Sequence, residues 1–344
     1  MKRKILVTGG TGYIGSHTTV ELINEGFDVV IIDNLYNSEA EVADRIQTIT
    51  GVKPALAIID ICDKPKLEKF FEANRDIAAI IHFAAYKAVS ESVSKPLEYY
   101  YNNLVSLINL LEMMKQFKVP DMVFSSSCTV YGQPEKLPVT EDAPLQPATS
   151  PYGNTKQIGE EIIRDATCSD KNIRAIALRY FNPIGAHPSG LIGELPRGVP
   201  ENLVPFITQT AYGLREELKV FGDDYDTPDG SCIRDYLHVV DLAKAHVVAV
   251  KRLVEGKNRK YFEVFNLGTG NGVSVLEAIR SFERVTGIKL KYRITGRRPG
   301  DIEKIWADPS FANRELGWKT ISTLDEALET AWEWEKKIRN KKGE

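Results

Sequence analysis

The fold is decided by the stretch Thr8-Gly9-Gly10-Thr11-Gly12-Tyr13-Ile14-Gly15, which follows the apolar run Ile5-Leu6-Val7 and precedes a helical pattern over residues 17–23. This order predicts a strand, a glycine turn and a helix. Glycines at these spacings let the backbone turn sharply and let a pyrophosphate approach the helix start without a Cβ in the way. The spacing is G-x-x-G-x-x-G rather than G-x-G-x-x-G, so alone it leaves an ordinary tight turn open.

A second apolar run, Asp28–Ile32, predicts the next strand and ends at Asp33, 18 residues after Gly15. A carboxylate in that register binds both ribose hydroxyls of an adenosine in dinucleotide-binding folds. The alternative is a solvated aspartate at a strand end. Together, the glycine turn and Asp33 favour a site for NAD, because a carboxylate there repels the 2′-phosphate of NADP.

Composition narrows the class of protein. The chain has 344 residues, 43% hydrophobic and 26% charged, which is ordinary for a globular enzyme and long enough for two domains. A net charge of -3 with well-mixed signs argues against a nucleic-acid partner. The basic start is followed by only three apolar residues, so we expect neither an export segment nor a membrane span.

The four cysteines and five histidines are scattered along the chain. Their spacing fits neither a disulfide framework nor a metal-ligand cluster, so we expect no metal, and a reducing cytoplasm suits such a sequence.

Further along the chain, strand-like runs alternate with helical stretches, at residues 55–60, 78–84, 122–126 and 174–180. This alternation predicts an α/β fold with a doubly wound parallel sheet of the Rossmann type. Ligands bind such sheets at the carboxyl ends of the strands, where Asp60, His82 and the serines 125–127 fall.

From residue 182 the pattern changes to loops rich in Gly and Pro, with only residues 264–267 resembling another strand. We therefore predict a cofactor-binding domain over residues 1–181 and a smaller substrate-binding lobe over 182–344. Residues of about 235–266, including a predicted helix at 239–252, are expected to pack back on the first domain.

Tyr152 and Lys156 begin a predicted helix with the spacing Y-x-x-x-K. Residues four apart share a helix face, so the phenol and the ammonium can point the same way, although an exposed surface helix has the same pattern. A phenol with a pKa of about 10 needs a shift of roughly three units to act as a base near neutrality. We expect Lys156 and a cationic nicotinamide to supply it. One of Ser125, Ser126 and Ser127 would position the substrate hydroxyl, and the residues alone do not choose among them.

Several linked motifs resemble the UDP-galactose 4-epimerase family of extended short-chain dehydrogenase/reductases. The resemblance runs from residue 5 to about 335 and is carried by T-G-G-T-G-Y-I-G-S-H, D-N-L, H-F-A-A-Y-K-A-V, P-L-E-Y-Y, F-S-S-S-C-T-V-Y-G, S-P-Y-G-N-T-K, R-Y-F-N-P-I-G-A-H-P-S-G, R-D-Y, F-N-L-G-T-G and R-R-P-G-D. It implies NAD-dependent interconversion of UDP-galactose and UDP-glucose, with transient oxidation at C4 and hydride return to the other face of a rotated 4-keto sugar. It also implies a homodimer whose seam includes the stretch 104–117.

The resemblance also implies roles for individual residues. The catalytic residues would be Ser127, Tyr152 and Lys156, with Tyr152 and Lys156 also touching the cofactor. The other NAD-binding residues would be Gly9, Gly12, Tyr13, Ile14, Gly15, Asp33, Asn34, Asp60, Ile61, Phe83, Lys87, Asn102 and Phe181. Besides Ser127, the UDP-sugar would be bound by Asn182, Asn202, Phe221, Arg234, Arg298 and Asp301. Two guanidiniums suit bidentate recognition of a diphosphate, although each could instead form a surface ion pair.

Two positions depart from the family pattern. Cys128 stands where many relatives have alanine, a change that a small side chain should allow. Ile305 stands where bacterial members often have a tyrosine associated with excluding N-acetylated sugars, so activity on UDP-GalNAc and UDP-GlcNAc is left open.

Two other functions compete with the epimerase. A sugar-nucleotide 4,6-dehydratase needs an acid and base pair next to the serine, and this chain has Cys128 and Thr129 there. A non-catalytic NAD-sensing protein could lose Tyr152 or Lys156, and both are present.

Overall fold

The glycine stretch forms the predicted turn between a buried strand and a helix. In the computed structural model, which describes residues 2–298 and 301–340, this turn lies at the centre of a seven-stranded parallel sheet. The strands among the described residues are β1 (Lys4–Thr8), β2 (Asp28–Asp33), β3 (Ala55–Ile58), β4 (Ile77–His82), β5 (Asp121–Ser127), β6 (Arg174–Tyr180), β7 (Asn182–Ile184), β8 (Leu218–Phe221), β9 (Ile233–Arg234), β10 (Tyr236–His238), β11 (Phe262–Leu267), β12 (Val273–Ser274) and β13 (Tyr292–Thr295).

Helices cover both faces of the sheet and recur in the part of the chain after residue 182. They are α1 (Tyr13–Asn24), α2 (Val42–Thr50), α3 (Lys64–Ala73), α4 (Val89–Ser94), α5 (Pro96–Tyr100), α6 (Ser106–Phe117), α7 (Pro151–Ser169), α8 (Leu203–Ala211), α9 (Val239–Val254), α10 (Val275–Thr286), α11 (Ser310–Glu315) and α12 (Leu324–Asn340). A π-helical turn (Tyr101–Val105) joins α5 to α6, and a 3₁₀ turn (Cys128–Tyr131) follows β5.

The large sheet has the strand order β11-β6-β5-β4-β1-β2-β3, with every neighbouring pair parallel. Successive side chains alternate between its faces, so Ile5 and Val7 join one apolar cluster while Leu6 joins the other. Because both faces are covered, the central strands are nearly continuous apolar runs. The order reverses direction at β1 and β4, which is where such sheets bind ligands. The predicted doubly wound Rossmann fold is confirmed.

The chain after residue 182 contributes to both parts of the molecule. Strand β11 pairs with β6 as the last strand of the large sheet, and α9 packs against α1. The other segments form a third apolar cluster around Phe282 and Leu328, with three two-stranded pairs: β7 with β10, β8 with β13, and β9 with β12. The division into a cofactor domain and a substrate lobe at residue 182 stays a prediction.

The expectation of a single strand beyond residue 182 was wrong. In the described part of the chain, six further strands lie there, each of two to four residues. Segments this short carry too few residues to show an alternating pattern, and they pair across loops rather than with their neighbours in sequence. Among the described residues, no helix is both long and apolar enough to cross a membrane.

Candidate active site

The glycine turn has the geometry of a cradle for a diphosphate. Gly9 has a φ of +70°, and a Cβ there would lie 2.8 Å from the Ala84 nitrogen. A Cβ on Gly15 would lie 2.1 Å from the Gly9 oxygen, so neither position tolerates a side chain. Helix α1 starts here with no side-chain cap, which leaves its first N–H groups and dipole to an anion. These residues fit the pyrophosphate of a dinucleotide.

Asp33 is buried and held in one orientation at the end of β2. Its Oδ2 accepts a hydrogen bond from the Thr11 nitrogen at 3.2 Å, and its Oδ1 accepts from the Leu35 nitrogen at 2.9 Å. Ser38 donates to the same Oδ1 at 3.1 Å. The carboxylate is therefore fixed beside the glycine turn, where an adenosine ribose would need an acceptor.

The remaining predicted cofactor residues lie along the same carboxyl edge of the sheet. Asp60 and Ile61 follow β3, Phe83 and Lys87 follow β4, and Phe181 separates β6 from β7. Asn102 lies in the π-helical turn, where its carbonyl accepts a hydrogen bond from the Cys62 thiol after β3. Tyr13 reaches the second lobe, since its hydroxyl donates to the Gly185 oxygen at 2.7 Å.

Three catalytic candidates converge between β5 and α7. Ser127 is the last residue of β5, while Tyr152 and Lys156 lie in the first turns of α7. That helix begins with Pro151 at its first position, and the hydroxyl of Ser150 caps it by accepting from the Gly153 nitrogen at 3.2 Å. The helix start is thus defined, which fixes the direction of the phenol and the ammonium.

Lys156 is anchored by the strand that carries the serines. Its buried Nζ donates to the Ser125 oxygen at 2.6 Å and lies 5.9 Å from the centre of the Tyr152 ring. The Ser125 hydroxyl in turn bonds the hydroxyl of Tyr180. The neighbouring Ser126 hydroxyl instead donates to Glu160. Of the three serines, Ser127 is the one whose side chain acts to lower the pKa of Tyr152, while the hydroxyls of Ser125 and Ser126 bond Tyr180 and Glu160. The assignment of Ser127 to the substrate hydroxyl stays a prediction.

The polypeptide alone does not lower the pKa of Tyr152. Burial raises it to about 12, and a hydrogen bond from Ser127 opposes this rise. Burial also lowers the pKa of Lys156 to about 8, opposed by the nearby Glu160 carboxylate. The polypeptide therefore does not by itself lower the phenol pKa, because the same burial that brings the two groups together removes both from water. A bound positive charge has to supply the shift.

A buried ion pair backs this cluster. Glu160 lies one helical turn beyond Lys156 on α7 and accepts two hydrogen bonds from Arg179 of β6, at 2.8 and 2.6 Å. Arg179 also donates to the Tyr131 hydroxyl at 2.8 Å. The pair ties α7, β5 and β6 together directly behind the catalytic candidates.

The predicted substrate residues form a second group, in the part of the chain after residue 182. The Arg298 guanidinium lies 5.3 Å from the centre of the Phe221 ring and is paired with Asp301 at 2.7 Å. The charge of Arg234 acts on the Cys128 thiol beside Ser127. Pro299 and Gly300 of the R-R-P-G-D motif lie outside the described residues.

The other substrate candidates differ in what surrounds them. Ile305 is buried in an apolar cluster with Phe181 and the partly buried Cys128. The buried Asn182 Oδ1 has no hydrogen-bond partner among the described residues, so it is free to accept one from a ligand. Asn202, which precedes α8, donates to Glu194 at 2.7 Å.

Sequence reasoning missed Glu194 and the ion pair of Glu160 with Arg179. Glu194 accepts from both Lys87, at 3.0 Å, and Asn202, so it joins a cofactor candidate to a substrate candidate. It lies in a loop with no periodicity, which gives no signal. Glu160 was detectable, since it continues the face of Tyr152 and Lys156 at four-residue spacing. In the described part of the chain, no group of three or more potential ligands could hold a metal ion.

Comparison with known proteins agrees with this geometry. A protein-family model described as GDP-mannose 4,6 dehydratase matches residues 6–331. The chain is 51% identical over 331 residues to a UDP-glucose 4-epimerase of Bacillus subtilis, covering 96% of each chain. It is 48% identical to the human enzyme of that name over 342 residues, covering 98% of this chain and 97% of that one. This chain belongs to the UDP-glucose 4-epimerase family.

The structural comparison supports the same family. A crystal structure of the UDP-glucose 4-epimerase from Bifidobacterium longum, in complex with NAD⁺ and UDP, has a TM-score of 0.93 and 47% identity. The two chains overlap over 98% of this one and 99% of that one. The matching family model carries the description of a dehydratase. A dehydratase needs an acidic pair beside the serine, and the 3₁₀ turn after Ser127 has Cys128 and Thr129 there. Burial raises the pKa of Cys128 to about 12, so that thiol stays protonated. The site therefore agrees with the epimerase relatives.

Proposed function

We propose that this protein interconverts UDP-galactose and UDP-glucose by NAD-dependent inversion at C4. The observation that carries the proposal is the convergence of Ser127, Tyr152 and Lys156 at the sheet edge that holds the glycine cradle. Residues 1–181 would hold the cofactor and residues 182–344 the nucleotide sugar. NAD would be bound by the cradle, by Asp33 and by the residues that follow β3 and β4.

The residues of the site divide the chemistry between them. Bound NAD⁺ supplies an acceptor for the C4 hydrogen and a positive charge near the phenol. Ser127 hydrogen-bonds the 4′-hydroxyl and orients it, and Tyr152 takes the proton of that hydroxyl and later returns it. Lys156, held by the Ser125 carbonyl, contributes positive charge and a ribose contact. Because no net oxidation occurs, the cofactor is retained from one turnover to the next.

The second lobe would recognise the nucleotide. Phe221 presents an aromatic face for the base, and Arg234 and Arg298 carry the positive charge that a diphosphate needs. Asp301 orients Arg298, while Asn182 and Asn202 supply amides. Ile305 is buried beside Phe181 and Cys128, and its aliphatic side chain is smaller than the tyrosine that bacterial members often have at this position. We therefore include the N-acetylated pair, UDP-GalNAc and UDP-GlcNAc, among the substrates.

We also propose that the protein works as a homodimer. A row of exposed apolar side chains runs from α4 to α6 and comprises Val89, Val93, Leu97, Tyr101 and Ile108, with Leu97 82% exposed. These residues extend the predicted seam at 104–117 toward α4. Several large apolar side chains exposed in one segment are typical of a subunit interface. All four cysteines are free, which suits a reducing cytoplasm.

The test is an assay of purified protein without added NAD. UDP-galactose should convert to UDP-glucose, UDP-GalNAc should convert measurably, and acid should release NAD rather than NADP. A 4-keto-6-deoxy product would favour the dehydratase. Bound NAD with no turnover of either sugar would favour the sensing protein.

A further inference from the structure

A segment of the second lobe crosses the edge of the sheet where the cofactor is expected. We call residues 185–202 the strap. Its first residue, Gly185, accepts a hydrogen bond from the Tyr13 hydroxyl at the glycine turn. Further along, Glu194 pairs with Lys87 of the loop after β4 at 3.0 Å. The strap is thus attached at two points to loops that carry predicted cofactor residues.

A third attachment is made by Arg197. Its Nη1 donates to the Tyr36 oxygen at 2.8 Å, and its Nη2 donates to the Ser38 oxygen at 2.6 Å. The same Nη2 lies 3.4 Å from the Leu35 oxygen. One planar guanidinium therefore contacts three backbone carbonyls of the loop that follows Asp33. Donation from a charged group makes these hydrogen bonds stronger than neutral ones.

The loop that Arg197 holds is tied to the adenosine end of the site. Leu35 has a φ of +60°, an unfavourable backbone conformation for a bulky side chain. Surrounding hydrogen bonds must therefore hold the loop in this shape. Two of these contacts come from Asp33, which accepts from Leu35 and from Ser38. Ser38 also bonds the Thr11 hydroxyl in the glycine turn at 2.7 Å.

An aromatic contact joins this loop to the loop after β4. The rings of Tyr36 and Tyr86 lie 4.6 Å apart at an angle of 36°. Tyr86 is held from the other side by Asn103, which bonds both its nitrogen and its oxygen at 2.8 and 3.0 Å. The loop after β2 and the loop after β4 are therefore connected to each other by side chains, although Tyr36 is 49% exposed.

We infer that Arg197 is a positioning residue that fastens the strap over the bound NAD and, with the Tyr36–Tyr86 contact, retains the cofactor between turnovers. This inference rests on the proposed function, which needs a cofactor that is recycled rather than exchanged. Arg197 acts on the cofactor only through the loop it holds. Its loss speeds release of NAD and leaves the chemistry at Tyr152 unchanged.

The experiment measures NAD release directly. Holoenzyme loaded with radiolabelled NAD is diluted into excess unlabelled NAD, and the label that stays bound is followed over time. Arg197→Met should release NAD roughly tenfold faster or more, as expected for the loss of charged hydrogen bonds. Arg197→Lys should recover only part of the retention, because an ammonium cannot match the flat fork of a guanidinium. Tyr36→Ala should also speed release, and Tyr36→Phe should not.

Arg293→Met is the matched control, since Arg293 is an exposed arginine of β13 that pairs with Glu217 within the second lobe. It should release NAD at the wild-type rate. Wild-type release from Arg197→Met overturns the inference, even if that variant melts at a lower temperature. Turnover of UDP-galactose is measured on the same preparations. A loaded wild type that fails to turn over its substrate overturns the proposed function alone, and a wild type that never carries NAD overturns both.

Discussion

The catalytic edge, which carries Ser127, Tyr152 and Lys156, and the nucleotide-sugar edge, which carries Arg234 and Arg298, are built differently. At the first, Ser127, Tyr152 and Lys156 belong to a strand and a long helix that pack in the main core. At the second, Arg234 belongs to a two-residue strand and Arg298 to a loop. Regular structure fixes groups that need exact placement for proton transfer, whereas loops supply charges that must fit a flexible diphosphate.

The largest effect is expected at the catalytic edge. Tyr152→Phe keeps the ring but removes the proton-transferring hydroxyl, so kcat should fall by about 10²–10⁴ with little change in UDP affinity. Steady-state kinetics and UDP titration measure the two quantities. Tyr212→Phe is the control, because Tyr212 is a half-exposed tyrosine of the second lobe whose hydroxyl bonds only Asn340 among the described residues. Near-normal turnover in Tyr152→Phe would assign that phenol to structure.

At the other edge, the two arginines should differ from each other. Arg298 is already paired with Asp301, whereas Arg234 has no carboxylate partner among the described residues and bonds only the Ile233 oxygen. Arg234→Met should therefore weaken UDP binding by roughly 10- to 100-fold, the loss expected for a charged hydrogen-bonding group. Arg298→Met should weaken it less, because its pairing with Asp301 must be given up on binding. Calorimetric titration with UDP compares them, and the reverse order contradicts this account.

The residues of these two edges were not equally predictable from the sequence. The alternation of strands and helices, the glycine cradle and the four-residue spacing of Tyr152 and Lys156 follow from local sequence patterns, which survive folding. The ion pair of Glu160 with Arg179 joins residues 19 positions apart across a helix and a strand, so only the tertiary structure brings them together. The attachments of Glu194 and Arg197 depend on a loop that crosses between lobes, for which no local rule exists.

Three buried histidines should also make stability depend on pH. Burial lowers the pKa of His17 and His82 to about 3 and that of His246 to about 4. The unfolded chain takes up these protons near pH 6.5 and the folded chain does not, so stability falls as the pH drops from about 6.5 toward 4. Each buried imidazole should cost about 2 kcal/mol at pH 5 relative to pH 7.

Urea unfolding at pH 7 and pH 5 measures this loss. His246→Gln should reduce this loss of unfolding free energy by the contribution of one imidazole, whatever the effect of the substitution on stability at pH 7. An unchanged difference between the two pH values in that variant would show that His246 is not the group that titrates.

The smallest expected effect concerns sugar choice. Ile305→Tyr places a larger side chain in the buried cluster that includes Phe181 and Tyr131. Turnover of UDP-GalNAc should fall by roughly tenfold. The reason is that the larger side chain clashes with the bulkier substrate when it binds, and such overpacking costs about 1–3 kcal/mol. Turnover of UDP-galactose should change much less. Ile305→Val is the control that keeps the space open, and equal losses for both sugars in Ile305→Tyr would mean that this residue does not gate the pocket.

The central claim is that C4 is inverted by removal and return of its own hydrogen. The direct test supplies UDP-galactose deuterated at C4 to the purified protein in ordinary water, with no NAD added, and follows the products by mass spectrometry and NMR. UDP-glucose that keeps its deuterium at C4 is the result we predict. Loss of that deuterium to water, or migration of deuterium to C6 with loss of the 6-hydroxyl, would contradict the account.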